Sequence, residues 1–320
     1  GFNKEIDRRM GYRTRCILSV PLVGLDESLV GVLQIINKTE GTFSTEDERV
    51  AEVLASQCAV ALQRARLLKE YMIKQKIEHD LALAREIQMR LLPERMPSIA
   101  GYDFAGWNEP ADQTGGDIFD AISLDSKRVL LILADASGHG LGPALSVTQF
   151  RAMIRMAFRL DTSFSHLHIH TNNQLVEDLT DERFITAFVG LLEVEDNMIN
   201  YHACGQAPLL QFHVSTGVID VLPASTLPFG IIPDIPLDDP SPIRMEKGDI
   251  FALISDGIFE QRDDSGEQFG VERASEIIRS NRSLPMDDLA ELLRTAVINH
   301  AGKTVQDDDM TILLIKRELN

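Results

Sequence analysis

Apolar positions in residues 13–37 fall into two β-rich runs, RCILSVPLV and SLVGVLQIIN, parted by the polar turn GLDES, a pattern that predicts a hairpin. From TFSTEDERVAEVLASQCAVALQRARL onward, apolar residues recur at helical spacing, and neither Pro nor Gly intervenes before Pro93. One helix of about 45 residues, or two abutting ones, is therefore predicted. Ser44 is its expected N-cap, with Glu46, Asp47 and Glu48 complementing the dipole in the first turn. A heptad can be laid on Leu67, Ile77, Leu81, Ala84 and Leu91, although Glu70, Lys74 and Gln88 interrupt it. The seam predicts a helical, coiled-coil-like linker over residues 67–95 that pairs two copies of the chain. In LLPERMP (residues 91–97) each proline lacks an amide donor and disfavours helix in the residue before it, so a domain boundary is expected there.

Beyond residue 96 the period shortens. DFAGWNE, RVLLILAD, FITAFVGLLEV, MINYHAC, LLQFHV, DIFALISD and TILLIKR read as strands, interleaved with helical segments near 141–160, 168–180, 271–281 and 286–300. Short connections such as EDN at 195–197 point to antiparallel pairing and an α+β fold rather than a βαβ repeat.

Composition narrows the function classes. Apolar residues make up 44% of 320 and charged residues 25%, values of an ordinary globular chain. Lys and Arg number 31 against 49 Asp and Glu, a formal net charge of -18, which repels nucleic-acid backbones and anionic membranes. Cys16, Cys58 and Cys204 share no short spacing, which argues against a disulfide framework or zinc knuckle and for a reducing cytoplasm. No apolar run approaches the ~20 residues of a membrane span, and GFNKEIDRR is no signal peptide.

Four aspartates then stand out. Asp135 ends VLLILAD, Asp256 ends FALISD, Asp308 precedes MTILLI, and Asp117 follows two glycines in TGGDIFD. If the strands bearing Asp135 and Asp256 run opposite to the one after Asp308, the three carboxylates reach one sheet edge. Acidic groups so gathered repel one another unless divalent cations compensate, and hard oxygen donors select Mg²⁺ or Mn²⁺. The bland alternative is that Asp and Gly at strand ends are turn formers.

TGGDIFDA, ADASGHGLGPAL, SDGIFEQRDDSGEQFG and DDDMTILLIKR occur in this order and resemble the motif series of the bacterial PPM (PP2C-like) protein serine/threonine phosphatases, in their sporulation-phosphatase and stress-response-regulator branch. With the leader REIQMRLLPERMP, the resemblance covers residues ~85–318. It implies an antiparallel β-sandwich flanked by helices over residues 96–320, with two Mn²⁺ or Mg²⁺ ions in a cleft at one edge. It also implies that Asp117, Asp135, the backbone carbonyl of Ala136, Asp256 and Asp308 hold the metals. Asp120 and Asp309 lie near enough in sequence to be alternatives. A metal-activated water, rather than a protein nucleophile, would attack phosphorus. The implied substrate is phosphoserine or phosphothreonine on a regulatory protein such as an anti-sigma-factor antagonist.

Two departures are expected to matter. The family often carries a histidine after the glycine of an AGHxP turn, where this chain has Cys204-Gly205-Gln206-Ala207-Pro208. Ser137 occupies the position of a candidate proton-donating histidine in eukaryotic relatives, with His139 two residues later. No general acid is assigned.

Residues 1–66 resemble the C-terminal half of a GAF sensory domain, so the chain is expected to begin inside that domain, with the sensor acting on the phosphatase through the linker. His166, His168 and His170 alternate with Leu167 and Ile169 but adjoin no carboxylate cluster, and surface positions near a helix start are expected for them. Cys204 is expected to be a buried apolar filler, and Asp238-Asp239 and Asp263-Asp264 to be solvated loops. Competing function classes are a non-catalytic partner-binding module on the same fold, marked by loss of a metal-binding aspartate, and a nucleotide or nucleic-acid phosphodiesterase.

Overall fold

A computed structural model describes residues 11, 13–160, 162–180, 183–235 and 241–319; Asp238-Asp239 lie outside them. The chain divides into two compact units, Gly1–Asp80 and Leu81–Asn320. In the first unit, β1 (Ile17–Val23) and β2 (Leu29–Ile36) form the expected antiparallel hairpin. Strict alternation along β1 buries Leu18, Val20 and Leu22 against Ala51, Ala55 and Ala59 of α1 (Thr45–Met89). Alanine at every fourth position clears a strip along which strands lie close to the helix axis.

Helix α1 is one continuous element. Ser44 Oγ accepts the Asp47 amide at 3.4 Å while the Asp47 carboxylate accepts the Ser44 amide at 2.6 Å, a reciprocal cap. The helix ends at Met89, so Pro93 through Arg95 lie beyond it, in turn and irregular backbone.

The second unit is a sandwich of two five-stranded antiparallel sheets. One sheet has the order β10 (Ser241–Arg244), β7 (Met198–Cys204), β6 (Ile185–Glu193), β5 (Arg128–Ala136), β4 (Asp117–Ser123). The other runs β3 (Tyr102–Glu109), β12 (Met310–Arg317), β11 (Ile250–Ile254), β8 (Leu209–His213), β9 (Val218–Leu222). Leu131, Leu133, Phe188, Phe251, Leu253 and Leu313 meet between the sheets. Alternate residues face outward into helices: Leu130 and Ile132 contact α2 (Leu141–Arg159) and α3 (Phe164–Asp178), while Ile312 and Leu314 contact α5 (Gly270–Ser280) and α6 (Met286–Ala301). Coverage of both faces explains why RVLLILAD and TILLI are unbroken apolar runs.

Three strands, β4, β9 and β10, were not among the expected runs. Leu91 and Leu92 pack on the sandwich, but Ile87 is 57% exposed. The alternating histidines lie on helix α3, which leaves His166 and His170 exposed and drives His168 into the core, contrary to the expectation of a surface position. Its imidazole packs 4.4 Å from Phe229 and 3.5 Å from Cys204 Sγ. Burial lowers the His168 pKa to about 3 and pushes the Cys204 thiol well up, so the pair is neutral and holds no thiolate.

Candidate metal centre

Sheet register sets the geometry of the acidic edge. Asp117 opens β4 directly opposite Asp135 near the end of β5. In the other sheet, antiparallel pairing sets Ile254 beside Ile312, so Asp256 just after β11 and Asp308 just before β12 emerge at the same end. Asp256 opens the short helix α4 (Asp256–Glu260). The edge therefore gathers Asp117, Asp135, Asp256 and Asp308 from both sheets.

Electrostatics show how close they come. Burial, then the charges of Asp135 and Asp309, drive the Asp117 carboxyl far above the ordinary range. Asp135 is pushed up to about 7, by burial first and then by Asp256 and Asp308. Asp256 is raised by desolvation of its carboxyl and then by Asp308, although the residue as a whole is exposed. Thr311 Oγ1 donates to Asp117 Oδ2 at 2.6 Å and fixes that carboxylate.

Asp309, left as an alternative ligand by the sequence, has a different task. Its carboxylate accepts the amides of Ala111 at 2.7 Å, Gly116 at 2.5 Å and Asp117 at 3.2 Å, and so moulds the loop that delivers Asp117. Asp120 is not at the edge: it is buried in ion pairs with Arg151 at 2.7 Å and Arg155 at 3.1 Å. On the other side of the loop, Gln88 Nε2 donates to the Gly115 carbonyl at 2.6 Å and Gln88 Oε1 accepts the Gly115 amide at 3.1 Å. Arg85 Nη1 adds a bond to the Asp112 carbonyl at 3.1 Å. This grip by the end of α1 was not foreseen; the polar interruption of the heptad at Gln88 was its one trace in the sequence.

Ser137 and Gln206 fill structural posts. Ser137 Oγ accepts the Phe184 amide at 3.0 Å, and Gln206, buried, reaches the Ile254 carbonyl at 3.4 Å. His139 is exposed, 3.3 Å from Asp112.

Among the described residues no three or more His, Cys, Asp or Glu side chains converge on one ligating point. The donor chemistry of the edge nevertheless fits hard divalent cations: four carboxylates and no His or Cys, each raised member crowded by like charge. The backbone agrees, because a Cβ at Gly116 would stand 2.7 Å from the Ala136 carbonyl oxygen and 3.3 Å from Asp135 Oδ1. Only glycine leaves both oxygens open there.

A stability test follows from Asp135. Folded, its carboxyl keeps a proton up to about pH 7, whereas unfolded it loses it near 3.8. The folded state thus binds more protons across that window, and this group's contribution to stability falls as pH rises through it. His168, with its pKa lowered from 6.5 to about 3, acts with the opposite sign. Comparing metal-free wild type with Asp135→Asn cancels His168. The variant's Tm relative to wild type should be several degrees higher at about pH 8 than at about pH 5; a gap that does not grow with pH contradicts the assignment.

Comparison with known proteins extends the picture. Residues 125–318 match the family described as Stage II sporulation protein E (SpoIIE), a stretch that includes Asp135, Asp256 and Asp308 but begins after Asp117; residues 2–62 match the GAF domain. The chain is 25% identical over 268 residues to the phosphoserine phosphatase RsbU of Bacillus subtilis (strain 168), covering 77% of this chain and 72% of that protein. Protein IcfG of Synechocystis sp. (strain ATCC 27184 / PCC 6803 / Kazusa) is 22% identical over 265 residues, 74% of this chain, which spans only 41% of IcfG. Among solved structures, the SiaA-PP2C domain of Pseudomonas aeruginosa has the same fold, with a TM-score of 0.65 at 20% identity, over 77% of this chain and 98% of that one.

Proposed function

The chain belongs to the Stage II sporulation protein E family, with a GAF domain at its N-terminus and a PP2C-like fold after it, and from this membership we propose that it hydrolyses phosphoserine or phosphothreonine on a regulatory protein. The observation that carries the reading is the crowding of Asp117, Asp135 and Asp256 at one edge, where each carboxyl is raised by burial first and then by the charge of its neighbours. Two Mn²⁺ or Mg²⁺ ions would be held by Asp117, Asp135, the Ala136 carbonyl, Asp256 and Asp308. When bound, such ions lower the pKa of a water and neutralise charge on the phosphoryl oxygens.

The chain's own residues supply alignment. Thr311 orients Asp117, and Asp309 and Gln88 hold its loop from two sides. A Cβ at Gly257 would meet the Asp309 carbonyl oxygen at 2.1 Å, so glycine there lets the Asp256 turn close on the Asp308–Asp309 turn. Phosphoserine is the favoured target because RsbU, a phosphoserine phosphatase, is similar over most of both chains, and the anti-sigma-factor-antagonist class is what the motif resemblance implies for the protein that carries it. No described helix is long and apolar enough to cross a membrane, and the three cysteines are free, as in a reducing compartment.

The boundaries we propose are a sensor over residues 1–66, a linker over 67–95 and a phosphatase domain over 96–320. Hydrolysis of a phosphoserine peptide, compared with a nucleotide panel with and without Mn²⁺, tests the activity. Turnover only of nucleotides, or turnover indifferent to Mn²⁺, overturns it.

Pairing of two copies through α1 belongs to the same reading. Leu67, Leu68, Tyr71, Met72, Ile73 and Ile77 are each more than half exposed on the helix, a density of apolar surface that a lone helix rarely presents to water. Light scattering of the double variant Ile77→Asp, Leu81→Asp should report monomers where the wild type reports dimers. A wild-type monomer at high micromolar concentration ends the idea.

A further inference from the structure

Apart from the acidic edge, the second unit holds a pocket of about 370 Å³ where arginines gather. Its floor is buried. Asp120, on β4, pairs with Arg151 Nη2 at 2.7 Å and Arg155 Nη1 at 3.1 Å, both from α2. The Arg151 side chain is 9% exposed, and its Nε has no hydrogen-bond partner. A buried guanidinium donor without a partner is costly, and one shared carboxylate does not satisfy two guanidiniums. Arg155 is 30% exposed and opens toward the cavity. Arg90 and Arg95, from the segment that follows α1, stand at the rim; Arg90 is held by Glu86 at 2.6 Å, and Arg95 has no acidic partner among the described residues. Four guanidiniums thus face two carboxylates, Asp120 and Glu86, an excess of two positive charges in a chain whose net charge is -18.

We propose that this pocket binds a small phosphate-bearing anion. Guanidinium forks match phosphate oxygens in bidentate geometry, and the two arginines that lie away from bulk water, Arg151 and Arg155, are screened little by salt. Leu92, Pro93 and Ile122 add an apolar wall suited to the organic part of a phosphate ester. Asp120 lies three residues along β4 from Asp117, ~10 Å at the rise of a strand. The pocket is therefore separate from the carboxylate edge, and its ligand would be bound rather than hydrolysed.

Calorimetric titration of the full chain, stripped of metal and desalted, with pyrophosphate at low ionic strength tests this. Wild type should bind one equivalent. Arg155→Gln should weaken binding at least tenfold, Arg155→Lys should recover part of it, and Asp120→Asn should tighten it, because it removes the negative charge from the floor. A purely structural ion pair predicts lost stability in both Arg155→Gln and Asp120→Asn but no opposite shifts in affinity. Parallel titrations with inorganic phosphate and citrate separate a phosphate site from a site for any polyanion. Absence of pyrophosphate binding, equal affinity in wild type and Arg155→Gln, citrate binding as tight as pyrophosphate, or loss of binding in Asp135→Asn with Arg155→Gln unaffected would each overturn the proposal.

Discussion

Asparagine in place of Asp135 or Asp256 is expected to lower kcat/KM for a phosphoserine peptide by ~10³-fold or more at saturating Mn²⁺, with the fold retained. The amide keeps the size and shape of the carboxylate but removes a unit of charge, so packing changes little while the attraction for a divalent cation drops sharply. Asp135 sits between Asp117 across the β4–β5 ladder and the pair Asp256 and Asp308 from the other sheet. Removing it is expected to damage affinity for both ions. Asp256, at the exposed lip, is expected to affect one more than the other. The phosphate-ester barrier is among the largest met by enzymes, so residual activity without the ions should be negligible. Circular dichroism and Tm check that the variants fold. Full activity in either sinks the metal assignment, and activity lost together with the fold is resolved by Asp308→Asn, because Asp308 is exposed and an asparagine oxygen can still accept the Asp309 amide that its Oδ1 holds at 2.8 Å.

Much of this edge was legible in the sequence because strand termini are marked by abrupt changes of polarity. VLLILAD and FALISD announce both a strand and the carboxylate at its end, and antiparallel pairing needs only that the next apolar run start beside an acid, as DDDMTILLI does. Local rules succeed where one residue does one thing. They failed where a side chain answers to a distant partner. Asp120 follows Asp117 in one strand and looks like a further ligand, yet Arg151 and Arg155 on α2 claim it. His168 reads as one of three exposed histidines, because no periodicity shows that Phe229 and Cys204 await it in the core. Strand β4 carries the proposed ligand Asp117 and the ion-paired Asp120 within seven residues, which hides its alternation, and β10 is only four residues long. Gln88 marks the limit most clearly, since the sequence shows only a polar residue where a heptad wants an apolar one.

That residue gives the second large expectation. Gln88→Ala should raise the Mn²⁺ concentration for half-maximal activity about tenfold while leaving kcat at saturating Mn²⁺ near that of wild type. The reasoning starts from the two hydrogen bonds that Gln88 makes to one peptide group, the carbonyl and amide of Gly115. Both are buried, and alanine would strand a carbonyl and an amide away from water, a cost of ~1–3 kcal/mol for such groups. The loop can relieve that cost only by moving outward, and Asp117 begins two residues later. Asp309 still ties Gly116 and Asp117, so the loop should loosen rather than melt. A population shift of 1.4 kcal/mol toward the loosened state is tenfold in apparent metal affinity, and excess metal draws the loop back. Helix α1 carries Gln88 at one end and the alanine strip under the GAF hairpin at the other, without a glycine or proline between. Two glycines inserted after Lys76 should therefore move the Mn²⁺ titration as Gln88→Ala does, although they touch neither Gln88 nor Gly115. Ile87→Ala, exposed one position away, should leave it unmoved. If Gln88→Ala lowers kcat with no change in Mn²⁺ dependence, Gln88 only packs; if the glycine insertion alone is silent, the grip on Asp117 is real but does not carry a signal along the helix.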